Sequence, residues 1–192
     1  MVATGPLIAV AHGSRDPRSA ATMHALVERI REARPSLDVR LSFLDLNAPS
    51  VDRTVDGVAA DGYTSAVAVP LLLGSAFHAR VDLPRLLATA RYRRPSLSVL
   101  QADVLGTDDR IVRAVRSRAV EAGADPDDDR LGVAVAAVGS SSDVANERTA
   151  QVARRIASGT RWRTRICFAT ACGPTVAEAL SGLRAEGAER FV

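Results

Sequence analysis

Two histidines, His12 and His78, stand where apolar runs break at a glycine: LIAVAHGSRDPR over residues 7–18 and VAVPLLLGSAFHARVDLP over residues 67–84. Leu7–Ala11 is short, uncharged and uninterrupted, as a strand buried on both faces must be, whereas Gly13, Ser14, Asp16 and Pro17 belong to turns and helix starts. His12 therefore falls at the carboxyl end of a strand, the edge of an open parallel sheet where loops part and ligands bind. Neutral imidazole ligates divalent cobalt, iron, nickel or zinc and accepts a proton near neutral pH. Two facing imidazoles can thus share a metal ion and leave coordination positions open for a substrate.

Arg15, Arg18 and Arg80 border the same expected crevice and could receive carboxylates through paired hydrogen bonds. Ser14 joins them as a candidate substrate contact, and its hydroxyl is expected to cap the helix that follows. It is not placed as a nucleophile, because HGS lacks the G-x-S-x-G elbow. His24 lies beside an apolar helical stripe and reads as a surface residue. Cys167 and Cys172 are too few for a disulfide framework, have no histidine near them, and read as buried thiols.

These residues need a frame. A stripe of Met23, Leu26, Val27, Ile30 and Ala33 makes a helix that Pro35 ends, and alternation of Val39, Leu41 and Phe43 makes a second strand. Ser50 can cap a second helix with Val51, Val55 and Val58 on one face. A third strand precedes the His78 loop, a helix and a fourth strand follow, and Asp108 or Asp109 starts a further helix. The alternation predicts an α/β fold with parallel sheets covered by helices on both faces, that is, doubly wound. Right-handed crossovers that carry strand two to one side of strand one and strand three to the other make strands one and three neighbours, and bring His12 and His78 over the same edge.

After the acidic, turn-rich GADPDDDR of residues 123–130, the pattern returns. Residues 131–156 sit over residues 6–30 with Gly139 and Ser140 on Gly13 and Ser14, and residues 165–192 over 40–67 with Pro174 on Pro49 and Gly187 on Gly62. The chain reads as two similar α/β lobes, residues 1–122 and residues 130–192. The second ends where the first enters its third strand, so it is expected to be truncated in this sequence.

The 192 residues are 47% hydrophobic and 24% charged, which suits a folded chain with sizeable cores. No apolar run approaches the roughly 20 residues of a membrane helix, and no signal peptide opens the chain, so it reads as cytoplasmic and without a membrane partner. The formal net charge of +3 comes entirely from arginines spread beside acids, with no lysine, and predicts no nucleic-acid partner.

In AHGSRDPR (residues 11–18), FLDLNAPSV (residues 43–51) and PLLLGSAFHARVDLP (residues 70–84), in this order and spacing, the chain resembles the sirohydrochlorin chelatase family in its long, two-lobed form. The resemblance implies a class II chelatase fold and ATP-independent insertion of Co²⁺ or Fe²⁺, with Ni²⁺ a further candidate, into sirohydrochlorin during cobalamin or sirohaem biosynthesis. The metal is then a substrate, with no organic cofactor, and the protein a monomer or homodimer. His12 and His78 fall on the family's metal-binding and catalytic histidines. The second lobe departs from the pattern, because Val138 stands in the place of His12. A non-catalytic metal or tetrapyrrole carrier is the alternative, and would hold the metallated product instead of releasing it.

Overall fold

A computed structural model describes residues 5–74, 78–106, 108–170 and 173–192, with the side chains of all but residues 78 and 79. The chain divides into two compact units, Met1–Leu105 and Gly106–Val192.

The first unit runs β1 (Leu7–Ala11), α1 (Pro17–Ala33), β2 (Val39–Phe43), α2 (Val51–Ala60), β3 (Ser65–Pro70), a π-helical turn (His78–Asp82), α3 (Leu83–Arg93) and β4 (Ser98–Gln101). Its sheet is parallel in the order β2-β1-β3-β4, so β1 lies between β2 and β3 as the crossover rule requires. Side chains of β1 alternate between two cores. Ile8 and Val10 pack with Val51, Val55 and Val58 of α2 and with Leu83 and Leu87 of α3. Ala9 and Ala11 join Val27 of α1 with Val39, Leu41 and Phe43 of β2. Each fully buried valine or leucine contributes about 1.5–3 kcal/mol relative to exposure, and this double burial makes β1 the fixed reference for the loops at its end. At the opposite end of the sheet Arg40 pairs with Asp38 and Asp61, both at 2.7 Å. The guanidinium's hydrogen bonds hold the Asp38 carboxyl below the usual carboxylate range.

The second unit comprises α4 (Asp109–Glu121), β5 (Leu131–Ala137), α5 (Asp143–Ala157), β6 (Arg163–Phe168), α6 (Val176–Ala185) and β7 (Arg190–Phe191), with parallel order β6-β5-β7. Strand by strand it matches β2-β1-β3. The repeat extends to hydrogen bonds: Phe43 N donates to Pro49 O at 2.9 Å, and Phe168 N to Pro174 O at 2.8 Å. Both prolines follow cis peptide bonds, and Gly13 and Gly139 have φ of 95° and 90°.

The expected lobe boundary at residue 122 follows the sequence repeat, whereas the compact units part between Leu105 and Gly106. The physical reason is α4. Its Val112, Val115 and Ala119 pack with Ile156 and Trp162, and Arg116 Nε donates to Ile156 O at 2.9 Å. The expected caps Ser50 and Asp108 begin α2 and α4. Ser14, in contrast, is not the cap of α1. That place belongs to Asp16, whose side chain accepts from Arg18 N, because Pro17 fills the first helical position. Cys167 is buried, and Cys172 lies outside the described residues.

The buried Ser42 hydroxyl of β2 has no hydrogen-bond partner among the described residues. Cys167 occupies its place in the repeat and is also buried. An unpaired buried hydroxyl costs about 1–3 kcal/mol. Ser42→Ala and Ser42→Cys should therefore leave the thermal midpoint unchanged or raise it by a few degrees, measured by circular dichroism. A fall of several degrees in both variants would show that the hydroxyl is bonded.

Candidate active site

Past Ala11 the chain leaves the sheet between two parallel neighbours, and the loops of β1 and β2 are stitched together. Leu44 N donates to Ala11 O at 2.9 Å, and Asp45 N to His12 O at 3.0 Å. Ser14 N donates to Asn47 Oδ1 at 2.7 Å. Between these bonds Gly13 turns the backbone at φ 95°, and a β-carbon there would lie 1.8 Å from Asp45 O. Glycine is thus required twice over, for the left-handed backbone and for the close approach. Ser14 Oγ accepts from Asp16 N at 3.0 Å, which closes the loop onto α1.

His12 is exposed, and its Nδ1 lies 2.9 Å from Gly13 O. A carbonyl only accepts, so Nδ1 carries the proton and the neutral ring has its lone pair on Nε2, the form that ligates a metal or takes a proton. The expected partner, His78, opens the π-helical turn that follows β3, the strand paired with β1 as Val10↔Pro70. Its side chain, and with it the expected meeting of the two imidazoles, lies outside the described residues.

The arginines differ. Arg18 reaches back to Asp16, with Nη2 2.5 Å from Oδ2, and this bond holds the Asp16 carboxyl below its ordinary range. To receive a substrate carboxylate Arg18 would have to give up Asp16. Arg15 and Arg80 are exposed and form no ion pair among the described residues. His24 is exposed on α1, its ring 6.2 Å from that of Phe43.

Sequence reasoning passed over one carboxylate. Asp45 is exposed and bonded through its backbone to His12, and its Oδ1 accepts from Leu46 N at 2.7 Å. The signal was available, because the rule that sends the loops of β1 and β3 to one edge sends the loop of β2 there too. In the second unit the corresponding positions are Val138, 72% exposed, and Thr170, whose hydroxyl donates to Val138 O at 2.7 Å. The loop architecture is kept there without imidazole or carboxylate.

The family model described as CbiX matches residues 6–122 and 132–192. The chain belongs to the CbiX family. The first matched segment ends at residue 122, the expected lobe boundary, so α4 belongs to the first CbiX segment by sequence and to the second unit by packing. Among curated relatives, a sirohydrochlorin ferrochelatase of Bacillus subtilis (strain 168) is 30% identical over 97% of this chain and 71% of its own length. A sirohydrochlorin cobaltochelatase of Methanosarcina barkeri is 27% identical over 60% of this chain and 95% of its own. The solved structure of SirB from Bacillus subtilis with Fe³⁺ superposes with a TM-score of 0.80 at 28% identity, over 93% of this chain and 71% of that one. The parallel α/β architecture of this CbiX-family chain is therefore the class II chelatase fold.

Gly13 supplies a test of the stitched loops. Gly123 also has positive φ, 100°, but nothing within 4 Å of where its β-carbon would stand. Gly123→Ala thus measures backbone strain alone, about 1–3 kcal/mol, whereas Gly13→Ala adds the collision with Asp45 O. Gly13→Ala should lower the denaturation midpoint at least twice as far. Equal losses would mean that the β2 loop gives way freely.

Proposed function

We propose that this protein inserts a divalent metal, Co²⁺ or Fe²⁺, into sirohydrochlorin without ATP, at the carboxyl edge of the first sheet. The observation that carries this reading is His12 at the end of β1, its Nδ1 2.9 Å from Gly13 O and Asp45 stitched beside it, in a chain of the CbiX family. The names of its relatives support the substrate and both metals, and imidazole accepts either ion.

Insertion requires the ion to exchange water for ring nitrogens while two pyrrole N–H protons leave. A closed four-ligand site would hold the ion too firmly, whereas one or two imidazoles bind it weakly and leave positions open. In the proposed reaction His12 holds the ion through Nε2, and His78, on the loop after the neighbouring strand, is its partner. One of the pair, or the Asp45 carboxylate, receives a pyrrole proton. The peripheral carboxylates of the substrate are taken by Arg15 and Arg80, with Arg18 able to join only by leaving Asp16. Ser14, whose amide and hydroxyl are engaged in the loop, contributes by holding it.

The same reading makes the metal a substrate, with Ni²⁺ a further candidate, requires no organic cofactor, and belongs to cobalamin or sirohaem biosynthesis in the cytoplasm, carried out by a monomer or homodimer. Among the described residues no helix is long and apolar enough to cross a membrane.

Activity is followed by the absorbance change of sirohydrochlorin with Co²⁺ or Fe²⁺, after subtracting the uncatalysed rate. His12→Ala and His78→Ala should each lose at least about 100-fold, the scale of a positioned proton acceptor. The double variant should be little worse than either single one, and His24→Ala should match the parent. A folded His78→Ala protein with the parental rate would remove the paired-histidine mechanism. Arg15→Ala and Arg80→Ala should raise KM more than they lower kcat, and an unchanged KM in both would dismiss them as carboxylate contacts.

A further inference from the structure

Leu46 carries two features that a folded chain ordinarily avoids. Its φ is 62°, which makes it the only non-glycine residue in the left-handed region among the described residues. Its side chain is 53% exposed, so no full burial offsets the conformation. A bulky residue is strained there, and asparagine or glycine would occupy the position more readily. The backbone cannot relax, because both neighbours of Leu46 are tied to the loop of β1: Asp45 N donates to His12 O at 3.0 Å, and Asn47 Oδ1 accepts from Ser14 N at 2.7 Å. Asp45 Oδ1 further holds Leu46 N at 2.7 Å. The loop thus forces outward an apolar side chain that contributes little to the core.

Its place is specific. β2 ends at Phe43 and β3 at Pro70, and three residues beyond each end stands a solvent-exposed leucine, Leu46 at 53% and Leu73 at 69%. These strands flank β1, whose end carries His12. The edge therefore presents an imidazole between two loops that bear apolar residues, with the exposed guanidiniums of Arg15 and Arg80, which form no ion pair among the described residues, on the same edge. Such a surface is complementary to a ligand with an apolar ring and a carboxylate rim.

We infer that Leu46 is a substrate-contact residue that packs against the macrocycle of the tetrapyrrole and sets the ring's position over His12. The inference rests on the proposed chelatase function and adds the residue that recognises the ring itself, as distinct from its carboxylates. Backbone strain is accepted at this position because it fixes the leucine where the ring arrives, instead of leaving it to fold back onto the sheet.

The test uses Leu46→Asn, which keeps the left-handed backbone comfortable while removing the apolar surface, and Leu46→Met, which keeps the surface. Thermal midpoints are measured with kcat and KM for sirohydrochlorin, and with Kd for the metal-free tetrapyrrole by absorbance titration. Leu46→Asn should melt at or above the parental temperature, with KM and Kd raised about tenfold and kcat reduced less. Leu46→Met should restore KM. A Leu46→Asn protein with parental KM and Kd overturns the inference while leaving the chelatase reading in place. A midpoint several degrees lower also overturns it, by showing that the leucine serves packing. A parent protein that binds sirohydrochlorin but inserts no metal removes the chelatase reading and leaves the ring contact to be judged on Kd. A parent that neither binds nor metallates the tetrapyrrole ends both.

Discussion

The missing β-carbon of Gly13 is the constraint from which the rest of the site follows. The Asp45 carbonyl occupies the space that a side chain would fill, and this contact brings the loops of β1 and β2 close enough for three further hydrogen bonds. Those bonds fix His12 at the end of a strand buried on both faces, keep Asp45 beside it and hold Leu46 outward. The rigidity of the site is inherited from two hydrophobic cores, one on each face of β1, and is transmitted to solvent through only a few residues.

Much of this frame was legible in the sequence, for physical reasons. A short uncharged run such as Leu7–Ala11 can only be a strand covered on both sides, and the crossover rule then orders its neighbours. The repeat was visible because turns need particular residues, and Gly13 recurs as Gly139, Pro49 as Pro174 and Gly62 as Gly187. Asp16 was also within reach as the helix cap, since Pro17 beside it marks the first helical position more firmly than Ser14 does.

What escaped the sequence reading lies where periodicity is silent. The stretch from Leu44 to Ser50 has no helical or strand pattern, so Asp45 looked like any loop acid, and positive φ at Leu46 cannot be anticipated when the residue is not glycine or asparagine. The stripe of Val112, Val115 and Ala119 shows that α4 has a face to bury, but amphipathicity does not say on which surface. Only the structure shows that this surface is built from α5 and Trp162.

That placement of α4 means that homology and cooperativity would cut the chain at different points. A fragment ending with the first matched segment at residue 122 would carry a helix stripped of the surface it covers. The complementary fragment would bare Ile156 and Trp162 to water, two large side chains that are 0% and 5% exposed in the intact chain. Both halves would gain sticky apolar faces, the usual origin of aggregation in dissected proteins. The two copies separate as sequences at residue 122, but the compact units part at Leu105, and genetic exchange of whole lobes would succeed only if the helix travelled with its acceptor.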